Sequence, residues 1–419
     1  MDFTAEVERS LRVLDGCVVV FCGVAGVQPQ SETVWRQASK YKVPRIVFVN
    51  KMDRVGADFG HVIGDIRAKL KAHAAPVLIP IGAEEHLKGQ IDVVNQKAII
   101  YSDNDILGST YEVRDLDSEQ KEIAVAALAE LTEKVAEVDE QLGEKFLMEE
   151  EITSADLKSA IRRATTTNKF IPIAGGSAFK NKGVQALLDA VVDYLPSPLD
   201  IPAATGHDVD DVDSLVPVET DDNGPFVALA FKLWSDKFVG KLVFFRVYSG
   251  SISKGEMVFN PRTRKKERIG RLIQIQADKH KDIETCYSGD IAAMVGIKNA
   301  STGDTLCEEK GKVLLEPPTF PEPVISMAIE PNTTADQEKL ATGLQRLSEE
   351  DPTFVVTTDE ETSQTIISGM GELHLEIISS RLEREFKVEC RSGKPQIAYR
   401  ESIKTKAEGE GKLIKQSGG

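Results

Sequence analysis

Three rhythms of apolar and polar positions follow one another along this chain of 419 residues. The first is strand, helix, strand. Residues 4–14 have helical periodicity with Glu6 and Glu8 in the opening turns, and Asp15-Gly16 ends the run. Residues 17–22 are apolar without interruption, the pattern of a strand buried on both faces of a parallel sheet. Ser31-Glu32-Thr33 opens a helix to about Tyr41, Pro44 breaks it, and 45–49 is the next buried strand. This βαβ alternation predicts a parallel α/β sheet.

Residues 61–167 interrupt the alternation. Runs near 77–81 and 91–101 predict short strands. Ser118 is the predicted cap of a long helix, with Gln120, Lys121 and Glu122 on its polar side and Ala124, Ala127, Leu128 and Leu131 inward. The first rhythm resumes at 170–174, passes through Gly175-Gly176-Ser177-Ala178, and continues as a helix from Gly183 to Val192 that Pro196 and Pro198 close off. Residues 208–223, rich in Asp, Pro and Gly, read as a linker.

The second rhythm is all-β. Alternating runs at 227–233, 242–248, 257–259, 269–276 and 291–295, separated by Gly-containing turns, predict a small barrel. The Pro-rich stretch 316–323 is a stiff connection. The third rhythm runs β-α-β-β-α-β through 324–329, 336–349, 355–358, 363–368, 371–386 and 388–390, the order of a ferredoxin-like α+β module. The tail after Tyr399 has no segment long enough to fold alone.

Length and composition change this picture little: several cores are required, and 41 % hydrophobic with 28 % charged residues is ordinary for a globular protein. No apolar run reaches the 18 residues of a membrane span. Five scattered cysteines, without paired spacing, read as reduced cytoplasmic thiols. The net charge of −16 argues against nucleic-acid binding by the whole surface, though not against a partner met through local patches. Between 61 and 170, 21 acidic residues against 13 basic ones give −8, half of the chain's excess, consistent with an inserted subdomain that has an acidic helical face.

The candidate chemistry lies at Asn50-Lys51-Met52-Asp53, directly after a buried strand, where α/β sheets hold their ligands. The Asp53 carboxylate can accept from the ring N–H and exocyclic amine of guanine, a pair adenine does not offer. Asn50 can reach a ring nitrogen and tie neighbouring loops, and the stem of Lys51 can lie on the base. Ser177-Ala178 follows another buried strand, where a small residue lets a backbone N–H approach the guanine carbonyl. A phosphate-binding Gly-Lys-Ser or Gly-Lys-Thr does not occur: the Gly-Lys pairs at 240, 311, 393 and 411 precede Leu, Val, Pro and Leu. Without it a transferring phosphoryl group has no stabiliser, so no catalytic residue and no metal ligand is assigned. Glu372, His374 and Glu376 alternate on a predicted helix and point apart, unlike a metal-ligating pair.

With these residues in hand, the chain resembles the elongation factor G family of translational GTPases, over essentially its whole length. The resemblance rests on DFTAEVERSLRVLDG (2–16), GVQPQSETVWRQASKYKVPRIVFVNKMDRVGADF (26–59), GSAFKNKGVQALLDAVVDYLPSP (176–198), FVGKLVFFRVYSG (238–250), GDIAAMVGIKNASTGDTLC (289–307) and ISGMGELHLEI (367–377). It implies a GTPase domain, a partial nucleotide-binding parallel sheet of GTPase type, in two parts (1–60 and 168–200) around an inserted subdomain (61–167). A translation-factor β-barrel (201–316), a ferredoxin-like domain (317–397) and the start of a fourth domain (398–419) follow.

By the same resemblance, Asn50, Lys51 and Asp53 match the family's base-recognition motif, and Ser177-Ala178 its last nucleotide motif. Asp2-Phe3-Thr4 match the residues after the segment whose histidine positions the attacking water. That histidine, the phosphate loop and the first switch would precede Met1, which makes the chain an internal fragment. Lys237 stands where the family has proline. The resemblance implies GTP or GDP as ligand, with Mg in the intact family member. Ribosomal RNA and stalk proteins are the implied partners, for a cytoplasmic monomer acting in translocation of tRNA and mRNA. Ribosome recycling, antibiotic protection of the ribosome and a non-hydrolysing ribosome-binding module are the alternatives.

Overall fold

The computed structural model describes residues 4–102, 110–211, 213–236, 239–277, 279–309, 313–317, 320–396, 401–402 and 404–412. Asp2-Phe3, Lys237 and the last seven residues lie outside them. The chain forms two compact units, one over 4–320 and one from 321 onward.

The first unit opens with α1 (Thr4–Leu11), β1 (Cys17–Cys22), α2 (Pro29–Lys40), β2 (Arg45–Asn50), α3 (Phe59–Leu70) and β3 (Ala74–Ile81). It continues with β4 (Gly89–Asp92), β5 (Lys97–Tyr101), β6 (Tyr111–Asp115), α4 (Ser118–Ala136), α5 (Glu140–Leu147), α6 (Ser154–Thr166), β7 (Ile171–Gly175) and α7 (Val184–Tyr194). The strands make one sheet in the order β1-β2-β7-β3-β4-β5-β6. The first four run parallel and the rest form an antiparallel meander.

Alternation along β2 explains the layering. Ile46 and Phe48 face a core with Leu131, Leu157 and Leu187 from α4, α6 and α7. Val47 and Val49 face the opposite core with Trp35, Val62 and Ile66 from α2 and α3. Both faces are dry, so β2 reads as continuously apolar. Each such side chain contributes about 1.5–3 kcal/mol by leaving water.

Several expectations need correction. β1 is not buried on both faces. It is the sheet's terminal strand among the described residues, with Val20 56 % exposed. A division between 60 and 61 cuts α3, whose Val62, Ile63 and Ile66 share a core with Phe21 and Val49. β3, read as part of an insertion, pairs in parallel with β7 and carries the same sheet outward. The cap of α4 is Asp117, not Ser118: its carboxylate accepts the Gln120 N–H at 2.8 Å, and the Gln120 side chain returns a bond to the Asp117 N–H. This reciprocal box buries Gln120, which the helical pattern puts on the polar side.

Residues 208–223 are not all linker. Leu215–Val218 pairs with Ala204–Asp208, which also pairs with Val313–Leu315. The expected barrel strands are present within an eight-stranded antiparallel sheet. Its core gathers Phe245, Leu272 and Met294 from different strands, with Phe226 just ahead of another. Pairing also recruits Lys265–Arg268 and Lys279–Ile283, too charged to show a strand pattern. This β-layer is locked to the segment after α1. Val13 is buried among Val227, Leu229 and Phe259. Arg246 donates to the Val13 carbonyl at 2.5 Å and pairs with Asp15 at 2.6 Å.

In the second unit, α8 (Gln337–Glu350) and α9 (Glu372–Phe386) accompany four strands. Their order is Val355–Thr358, Thr365–Gly369, Ile325–Pro331, Cys390–Gly393, as in a ferredoxin-like sheet. His374, near the start of α9, is buried. Its Nδ1 accepts the Met370 N–H at 3.1 Å, so Nε2 carries the proton that Asp351 accepts at 2.9 Å. The side chain is thus fully used as a brace.

Candidate nucleotide site

β2 and β7 lie side by side, with Val49 opposite Gly175. The loops leaving their carboxyl ends therefore start as neighbours, and backbone bonds hold them together. The Gly176 N–H donates to Val49 at 3.0 Å and the Met52 N–H donates to Gly176 at 3.1 Å. Gly176 is required by this closeness: a Cβ there would stand 2.4 Å from the Lys182 carbonyl oxygen.

Asn50 ends β2 and makes the cross-link. Its Oδ1 accepts from the Lys51 N–H at 2.7 Å and from the Ala178 N–H at 2.9 Å. Its amide group makes no hydrogen bond within the described residues and remains available. Lys51 has φ of 65°, a left-handed conformation costly for a non-glycine residue, which the Asn50 bond to its N–H supports. Asp53 follows in the same loop, half-buried, and its Oδ1 is buried without a hydrogen-bond partner. An unpartnered buried carboxylate oxygen is costly, about 1–3 kcal/mol or more. Two N–H donors on a ligand edge would relieve it, so the donor set fits a guanine base.

Ser177 and Ala178 sit as the sequence predicts beside Asn50, with a difference in their amides. The Ser177 N–H donates to Lys182 at 2.9 Å and the Ala178 N–H to Asn50. A free amide in this pair, expected from sequence, is therefore not found. The Asn50 side chain reaches across and occupies it. The Ser177 hydroxyl accepts the Lys180 N–H at 3.2 Å and tightens the turn.

Sequence reasoning missed the loop's supports. The Glu84 N–H donates to the Met52 carbonyl at 2.7 Å, and its carboxylate accepts the Gly56 N–H at 2.8 Å. Gly23, after β1, donates to the Asn50 carbonyl at 2.7 Å and accepts from the Asp58 N–H at 3.0 Å. Asp58 in turn caps α3 through the His61 N–H at 2.9 Å. Glu84 lies in a segment without periodicity, and nothing local marks it. Cys22, opposite Asn50 in the register, reports the local field. Burial raises its thiol pKa, but the Ala25 and Val24 N–H groups and the cations Lys51 and Arg54 outweigh that and hold it below the ordinary value.

Comparison with known proteins bears on the domains. Residues 1–197 match the elongation factor Tu GTP binding domain, 240–307 match elongation factor Tu domain 2, and 320–394 match elongation factor G domain III. A solved structure of a Thermus thermophilus protein superposes with a TM-score of 0.80 at 27 % identity, over 94 % of this chain. The chain spans 56 % of that structure's length. An elongation factor Tu GTP binding domain, an elongation factor Tu domain 2 and an elongation factor G domain III, matched in that order, identify the chain as a member of the translational GTPases of elongation factor G type.

Proposed function

We propose that this chain carries the guanine-recognition part of a ribosome-dependent GTPase that moves tRNA and mRNA during elongation. In this reading the GTPase domain runs from α1 through β3 and returns at β7 and α7, with β4 to α6 as its elaboration. The β-barrel (201–316) and the ferredoxin-like domain (317–397) meet ribosomal RNA and protein in the cytoplasm. Asp53 and Asn50 select guanine, Lys51 covers the base, and the 177–178 turn closes its edge. The chain contributes base recognition and is not assigned hydrolysis, because its Gly-Lys pairs lack the Ser or Thr that phosphate binding needs.

The observation that carries the reading is the buried Oδ1 of Asp53, without a hydrogen-bond partner, three residues after the Asn50 cross-link. Affinity is expected to be weak, since phosphate contacts supply much of it in such sites. Saturation-transfer NMR of the full chain with GDP and ADP at equal concentration tests the reading. GDP is expected to give the stronger signal, and Asp53→Asn to abolish the difference, a loss of about 1.5–3 kcal/mol of discrimination. An unchanged GDP-to-ADP ratio in the variant would overturn the assignment.

A further inference from the structure

Arg45 begins β2 and Asn50 ends it, so the strand puts them at opposite ends of the sheet, about 17 Å apart at the usual rise. Arg45 is 4 % exposed. Its guanidinium lies 4.6 Å from the Trp35 ring centroid and donates to the Val43 carbonyl (3.3 Å), the Trp35 carbonyl (3.1 Å) and the Ser39 hydroxyl (3.1 Å). All three acceptors are neutral. Among the described residues no carboxylate pairs with it, and its Nη2 makes no hydrogen bond. Burial without a counter-charge pulls its pKa below the ordinary arginine value. Proteins seldom keep a buried charge uncompensated, because the desolvation cost is large.

Arg45 lines a cleft of about 430 Å³, within the size range of small-molecule sites. Lys42, Lys71, Lys169 and His73 line it too, and no Asp or Glu does. Lys42 and Lys71 form no ion pair among the described residues. Two acids stand near the rim. Glu137 lies 3.5 Å from His73, and Asp139, close enough to feel Lys169, is already bound by Arg163 at 2.8 Å.

A plainer explanation is that these cations only offset helix ends, since α2, α3 and α6 all terminate here, at Tyr41, Lys71 and Thr167. Three carbonyl ends carry roughly −1.5 charges in total, against four full positive charges from Arg45, Lys42, Lys71 and Lys169. A clear positive excess remains, in a chain of net charge −16, and the Arg45 Nη2, without a hydrogen bond among the described residues and not sealed from solvent, is open to a ligand.

We propose that this cleft binds a phosphate-bearing anion of pyrophosphate to mononucleotide size, with Arg45 at its floor and Lys42, Lys71 and Lys169 at its rim. The same chemistry is offered by a free phosphorylated compound and by the backbone of RNA. The site is separate from the base-recognition loops and does not rest on the function proposed above.

Calorimetric titration of the full chain with inorganic pyrophosphate at low ionic strength tests it, using the wild type, the double variant Lys71→Glu/Lys169→Glu and Asp53→Asn. Both lysines are exposed, so the double variant keeps the fold, which its far-UV circular dichroism checks. Saturable binding is expected, weakened at least about tenfold by the double charge reversal and unchanged by Asp53→Asn. No saturation up to about 10 mM, or equal affinity in the double variant, would overturn the proposal. A loss in Asp53→Asn equal to that in the double variant would also overturn it, by placing the anion at the other end of the sheet. A short oligouridylate that competes with pyrophosphate, and weakens in the same double variant, identifies RNA backbone as the source. Pyrophosphate binding without such competition identifies a free anion.

Discussion

The Asn50 side chain gives a prediction in which two substitutions at one position separate holding from recognising. Its Oδ1 accepts two backbone N–H bonds, at 2.7 and 2.9 Å, while its amide makes none. Asn50→Ala removes both acceptor interactions. Each is worth about 0.5–1.5 kcal/mol net, but the stranded N–H groups of Lys51 and Ala178 lie on exposed residues and can turn to water. The expected cost is therefore about 1–2 kcal/mol, not the larger penalty of a buried orphan. Part of it comes from Lys51, which would hold its φ of 65° without the acceptor that favours it.

Asn50→Asp keeps the acceptor and removes the donor. It should leave stability within about 0.5 kcal/mol of the parent, the range of an uncoupled surface change. It should also lose the guanine preference, because a carboxylate cannot donate to a ring nitrogen. Urea unfolding followed by Trp35 fluorescence measures the stability term. Trp35 is 7 % exposed and lies in the core beneath β2, and Trp234→Phe makes it the only tryptophan reporting. If Asn50→Asp destabilised as much as Asn50→Ala, the Oδ1 cross-link would not be what joins the two loops. If Asn50→Asp kept the guanine preference, the open amide would have no part in recognition.

Two further outcomes follow from the titrating groups. Cys22 should react with iodoacetamide at pH 8 faster than Cys17, whose thiol burial pushes up, and Cys286, pushed up by burial to about 12. Peptide mass spectrometry reads the order, guanine nucleotide should slow Cys22 alone, and equal labelling of the three would refute the local field. Asp351 is depressed below the ordinary carboxylate value: burial opposes ionisation, but His374 and Thr353 outweigh it. Its contribution is therefore full above the unfolded carboxylate pKa of about 3.9 and is lost as pH falls through the lower folded value. Hydrogen exchange over 320–394 should rise with acidification below about pH 4, less so in Asp351→Asn, and an identical pH response in the variant would refute the brace.

What the sequence showed, and what it hid, divides along physical lines. The run 45–49, with the loop that starts at Asn50, was legible because a strand dry on both faces is unbroken and its carboxyl end is fixed by chain direction. The ferredoxin-like order was legible because its helices and hairpin alternate cleanly. Asp117 was hidden by its neighbour Ser118, since both residue types cap helices and only geometry chooses. Lys265–Arg268 and Lys279–Ile283 were hidden because edge strands of a curved sheet need not alternate. Glu84 and Arg45 were hidden for a stronger reason: each acts through groups distant in sequence or through burial that no local pattern encodes.

The two ends of the seven-stranded sheet are treated differently. β6 closes one end with Glu112, Arg114 and Asp115, charges that discourage another strand from docking. β1 closes the other with Cys-Val-Val-Val-Phe-Cys, no charge, and Val20 open to water. Among the described residues no strand pairs with its outer edge, the situation in which strand addition occurs. An edge of this composition is the kind that extended chains pair with, and a charge at Val20 would be expected to blunt it. The sheet thus guards one rim with charge and leaves the other to six uncharged residues.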